Sequence, residues 1–153
     1  MRKITLAIAA SLLIGAASPA FAADEPENMI KYRQAVMSAI GGHTGAIAGV
    51  VKGEVSFVAH VEAHARGINE MSKLITQLFP AGTDNGAFKD TRALPAIWQD
   101  KSKFDAAAQA LQDESAKLIE VAQGGDVGAI GAQLQNVGKA CGGCHKPFRA
   151  EKK

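Results

Sequence analysis

At 153 residues, 47% of them hydrophobic and 21% charged, the chain is long enough for about one domain with one buried core. Its 17 Lys and Arg nearly balance its 15 Asp and Glu, which argues against nucleic acid or a broadly anionic membrane surface as partner. Only two cysteines are present, Cys141 and Cys144, so any cysteine chemistry is confined to one place.

The first stretch reads as a secretory signal. Arg2 and Lys3 form a basic start, and Ile4 to Ile14 is apolar apart from Thr5 and Ser11. Ala20-Phe21-Ala22 supplies small residues at a cleavage site. Cleavage is expected after Ala22, leaving residues 23–153 as one exported, periplasmic domain. The apolar run is shorter than the ~20 residues a membrane span needs, and no second run follows, so stable membrane insertion is not expected. Losing Arg2 and Lys3 makes the remainder formally neutral. From Lys139 onward, however, Lys146, Arg149, Lys152 and Lys153 join it against Glu151 alone, so this end is locally positive.

Four amphipathic helical segments follow, without alternating strand patterns or internal repeats. The first runs from about Pro26 to Lys52, with an inward stripe of Ile30, Arg33, Met37, Ile40, Thr44, Ile47 and Val51. Arg33 is out of place there, because a guanidinium is rarely buried without a partner. Either it snorkels to solvent or it meets an anion inside the bundle, such as a carboxylate. The second segment runs from about Glu54 to Leu78, with Phe57, Val58, Val61, Ala65, Ile68, Ile75 and Leu78 as core candidates. His60 and His64 lie four apart, a spacing that a metal site can use, but no third ligand accompanies them. A solvated face is the simpler reading.

Phe79-Pro80-Ala81-Gly82 breaks the helix. Residues 80–95 form a long connection, a length usually functional or disordered. Phe88, Leu94 and Trp98 anchor it; Trp98 either packs in the core or lies near a cofactor. The third segment runs from about Asp100 to Ala122, with Ser102 and Asp105 as a capping pair. Gln123-Gly124-Gly125 stops it, and Asp126 caps the fourth. That last helix has the cleanest stripe: Val127, Ile130, Leu134, Val137, Cys141, Cys144 and Phe148, at alternating spacings of three and four. Pro147 is expected to kink its final turn.

Both cysteines fall on that buried seam within Cys141-Gly142-Gly143-Cys144-His145. Two cysteines three apart, followed at once by histidine, read as a covalent haem c attachment site. The cysteines form thioethers with the haem vinyl groups, and His145 is the proximal iron ligand. A redox-active Cys-x-x-Cys is the competing reading, but that motif accompanies a βαβ pattern. A four-ligand zinc site would need two further ligands nearby.

A C-terminal Cys-x-x-Cys-His on the last of four helices resembles class II cytochromes c, the cytochrome c-prime family. Tyr32-Arg33-Gln34 through Met37, Pro95-Ala96-Ile97-Trp98 with Lys103-Phe104, and Val137 through Arg149 carry the likeness. It implies an all-α, antiparallel four-helix bundle with the long loop between helices 2 and 3 and one haem c near the last helix. It further implies that Arg33 lies near the propionates, Arg149 near the proximal side, and Met37 on the other side of the iron. Pro147 departs from the charged residue often found at its place.

Those implications support three functions. The first is the low-spin branch: a periplasmic electron carrier with His145 and Met37 as axial ligands, docking a redox partner. The alternative is five-coordinate iron that binds nitric oxide or carbon monoxide, with Met37 only a distal lid. The third is a small dithiol oxidoreductase. No general base, nucleophile or phosphate loop stands out, so a conventional enzyme is not expected. Homodimers through the first two helices are frequent in the family, and the glycine-marked first helix permits one.

Overall fold

Helix α1 spans Pro26–Val51, α2 Val61–Ser72, α3 Ala96–Gln99, α4 Lys101–Gln123 and α5 Val127–Phe148. The structure, a computed structural model, describes residues 25–152; the expected signal segment lies outside the described residues. No strand occurs among them. The four long helices pack in a closed cycle, α1 on α2, α2 on α4, α4 on α5 and α5 back on α1. This is the expected four-helix bundle, with the long connection between its second and third long helices. No described helix is long and apolar enough to cross a membrane.

The caps explain where the helices begin. Pro26 opens α1, where its missing N–H costs nothing and its fixed φ suits the first turn. The Asp126 carboxylate accepts the Ala129 N–H at 3.0 Å and starts α5. At the head of α4 the cap is Asp100, which accepts the Lys103 N–H at 3.1 Å, and not the expected Ser102–Asp105 pair. Asp105 instead forms an ion pair with Lys101. Gly125 ends α4 at φ +69°, a left-handed conformation in which a side chain would be strained.

The second segment is the main departure from expectation. Residues 54–57 are not helical, 58–60 form a 3-10 turn, and the α-helix proper ends at Ser72 before another 3-10 turn at 75–77. No side chain caps the α2 start. At its end, the Ser72 hydroxyl donates to Asn69 O at 2.6 Å, a local bond that competes with continuation. Phe57, expected in the core, is 56% exposed and stacks on His60 at 4.9 Å between ring centroids. The one-turn α3 falls between the expected connection, residues 80–95, and the expected third segment. It places Ile97 in the core, while Trp98 donates its indole N–H to Phe79 O at 3.1 Å.

Apolar side chains from all four long helices meet in one core, including Ile47, Ile68, Phe104, Leu118 and Ile130. Fully burying each is worth about 1.5–3 kcal/mol. Polar groups fix the register: buried Asn69 on α2 donates to Gln112 O and Ser115 Oγ on α4, each at 3.0 Å. Gln133 on α5 donates to the Glu114 backbone and carboxylate on α4 at 2.9 and 2.7 Å.

Candidate functional site

Toward the C-terminal end of α5 the bundle opens into a cavity of about 650 Å³. Met37, Ile40, Gly41 and Thr44 of α1 form one wall, Phe104, Ala108 and Leu111 of α4 another, and Cys141, Cys144 and His145 of α5 a third. The helical pattern accounts for this division. On α1, Ile30, Val36, Ile40, Ile47 and Val50 are buried, whereas Met37 and Thr44 are only half-buried because they border the cavity. On α5, Ile130, Val137 and Phe148 are buried, while the cysteines pack against the core from its margin.

The motif residues are brought together as expected. Cys141 and Cys144 are free, half-buried thiols one helical turn apart on the cavity wall. Burial pushes both thiols up, and Cys144, next to Cys141, rises to about 11. This is opposite to the depressed thiolate of a redox-active Cys-x-x-Cys, so the dithiol reading loses its chemical basis. His145 is held below the usual imidazole range, first by burial and then by Arg149 and Arg92. A neutral imidazole is the form that binds a metal.

Pro147 does not end the helix. The α5 helix continues to Phe148, and Arg149 turns into extended backbone that pairs with Ala93 as an isolated antiparallel bridge. The Leu94 N–H donates to Phe148 O at 3.0 Å, and the Ala150 N–H to Arg92 O at 2.8 Å. The long connection is thereby fastened to the end of α5, and Arg92 and Arg149 are placed at the cavity margin.

Arg33 is 4% exposed, which excludes snorkelling. Its guanidinium reaches into the connection. It donates to Thr83 Oγ1 at 3.1 Å, Thr83 O at 3.0 Å, Thr91 Oγ1 at 2.8 Å and Leu78 O at 3.4 Å. It also lies 4.5 Å from the Phe79 ring centroid. Phe79 in turn meets Phe104 at 4.8 Å, and Phe104 meets Phe148 at 5.3 Å, both edge to face. Thr83, Thr91 and Arg92 escaped the sequence reading, because loop threonines and a loop arginine carry no periodic signal. Trp98 lies behind this aromatic row, against Phe79 and off the cavity wall. His60 and His64 do not form a pair; His64 meets His43 of α1 instead.

A mainly apolar cavity, two thiols one turn apart, an adjacent neutral imidazole and marginal arginines fit a covalently attached tetrapyrrole with two carboxylates. The sequence profile of the family described as "Cytochrome C'" matches residues 28–149. The chain belongs to the cytochrome c′ family. It is 34% identical to cytochrome c′ of Rhodospirillum rubrum over 149 residues, covering 97% of this chain and 99% of that one. The solved cytochrome c′ from Rhodobacter spheriodes superposes with a TM-score of 0.78 at 30% identity, over 84% of this chain and 100% of that one. The nitric oxide complex of an L16A cytochrome c′ from Alcaligenes xylosoxidans matches with a TM-score of 0.74 at 33% identity, over 84% and 98%. Proteins of this family carry covalently attached haem c, and that is the cofactor of this chain.

These relatives overturn the low-spin expectation. The relatives named cytochrome c′, and a cytochrome c′ solved with nitric oxide bound, back the gas-binding alternative over the His/Met electron carrier. Met37 as sixth iron ligand, and the electron-carrier function built on it, are therefore withdrawn. The physical role left for Met37 is visible in its packing: it rests against the apolar core and forms part of the α1 wall.

Proposed function

We propose that the protein is a high-spin, periplasmic cytochrome c′ that binds nitric oxide or carbon monoxide, and that it is not a conventional enzyme. The observation that carries this reading is the α1 wall of the cavity, where Ile40 and Gly41 offer no ligand and Met37 packs against the apolar core. Of the two α1 hydroxyls that line it, Thr44 Oγ1 is committed to Ile40 O at 2.8 Å, and Ser38 sits on the exposed side of the helix. The relative solved with nitric oxide supports the same reading.

When bound, the haem would supply an iron able to bind a diatomic gas. Cys141 and Cys144 anchor it, so that it is retained through repeated gas exchange. His145, kept neutral first by burial, would hold the iron from the α5 side. Arg33 and Arg149 supply positive charge for its two carboxylates, Arg33 from a guanidinium fixed by Thr83 and Thr91. Met37 and Ile40 exclude water from the opposite side and limit the size of what enters.

The visible spectrum of the ferrous protein tests this directly. A broad high-spin spectrum that shifts on adding carbon monoxide is expected. Met37→Ala should leave the spin state unchanged and speed carbon monoxide association, because the lid is smaller. Sharp low-spin bands unaffected by carbon monoxide would sink the reading.

A further inference from the structure

Away from the cavity, three of the four histidines gather on α1 and at the start of α2. Two of them meet across the helix pair: His43 Nδ1 and His64 Nδ1 are 3.0 Å apart, with ring centroids at 5.3 Å and planes inclined by 54°. His60, the third, is turned aside and stacked on Phe57. Both members of the pair are half-buried, so solvent ions reach them. The position of His43 is also built into α2. A Cβ on Gly67 would lie 2.5 Å from His43 Nε2, so the ring rests where a side chain is missing. Glycine inside a helix costs about 1 kcal/mol relative to alanine, and here the missing Cβ is what seats the imidazole.

The geometry points to a divalent copper site formed by His43 Nδ1 and His64 Nδ1, clamping α1 to α2. Two nitrogens 3.0 Å apart, each about 2.0–2.1 Å from a shared ion, subtend an angle of about 91–97° at it. That is the cis angle of a tetragonal centre, the geometry of copper(II) or nickel(II) with nitrogen and oxygen ligands. A tetrahedral zinc ion would want the nitrogens about 3.3–3.4 Å apart at the same bond length. Copper leads this choice because it heads the affinity order of divalent first-row ions. Among the described residues no group of three or more His, Cys, Asp or Glu converges as a metal cage, so water completes the coordination. In the metal-free pair one Nδ1 donates its hydrogen to the other. Moving that hydrogen to Nε2 of the same ring frees both Nδ1 lone pairs, and two neutral imidazoles bind the ion with no net proton released.

The test uses the haem-loaded protein, stripped with a chelator and titrated with copper(II) sulfate. One equivalent should bind, with nitrogen hyperfine splitting from two imidazoles in the copper region of the electron paramagnetic resonance spectrum. The thermal midpoint should rise with copper, because the ion binds only the folded pair. Substituting either ligand, His43→Ala or His64→Ala, should weaken binding by more than the roughly 10–100-fold that loss of an outer-shell partner costs. Gly67→Ala keeps both histidines but displaces His43, and should abolish the two-nitrogen signal while leaving the haem spectrum and helical content intact. His60→Ala should bind copper as the wild type does. No stoichiometric binding, an unchanged signal in His64→Ala, or its loss in His60→Ala would each overturn the site.

Discussion

Arg33 puts a positive charge on the inward face of α1 with no carboxylate beside it among the described residues. Burial pulls its pKa down from the ordinary value, yet an arginine remains charged, so its desolvation must be offset by donors well used. Thr83, Thr91 and the Leu78 carbonyl provide that offset. Arg33→Ala leaves the threonines of the connection without this partner and should cost about 3 kcal/mol, read from urea unfolding. Arg33→Lys should recover little of it, since a single ammonium does not replace a two-sided fork. His64 gives a pH effect of known sign. Burial first, then His43 and His60, hold its pKa below the usual 6.5. The unfolded chain therefore takes up the proton at higher pH than the folded one, and stability is lost as pH falls below about 6.5. In metal-free buffer the thermal midpoint should drop from about pH 7.5 to about pH 5.5, and His64→Asn should flatten that slope.

At the level of elements, local chemistry and tertiary context divide the helices between them. The α5 helix is set locally. Asp126 caps it, its apolar stripe is unbroken, and its ends fall close to where spacing alone puts them. Asp126→Ala should cost about 1 kcal/mol in a thermal or denaturant melt, the value of one exposed cap. The α2 helix shows the opposite case. Its apolar residues continue on both sides at helical spacing, which is why one helix from Glu54 to Leu78 is the natural reading. Yet the α-helical part is only Val61–Ser72. The flanking 3-10 turns keep Ile75 and Leu78 in the core while Phe57 turns outward. Periodicity records which side chains are buried and is silent on whether the backbone between them is α or 3-10, since both place residues three apart on one side.

Across the described residues the bundle opens at one end into the cavity. The aromatic row from Phe79 through Phe104 to Phe148, the Arg33 cluster and the Ala93–Arg149 bridge join the long connection to α1, α4 and α5 at this end. Haem should therefore support the fold as well as the function. Replacing both cysteines, Cys141→Ser with Cys144→Ser, should abolish haem staining on a denaturing gel. A retained ligand at 100–1,000 times its dissociation constant contributes about 2.7–4.1 kcal/mol. Its loss should lower the thermal midpoint by about 10 °C in a domain of this size. By itself the sequence determined the helical class, the placing of Cys141, Cys144 and His145 within one turn of the last helix, and the Asp126 cap. Each of these is written in spacings of a few residues, the range over which one helical turn brings side chains together. The tertiary structure alone decided the partners of Arg33, up to 58 residues away, and the pairing of His43 with His64 across 21. It also placed Met37 against the core at the cavity edge. Such contacts depend on how separate helices and a loop settle against one another, which no local spacing encodes.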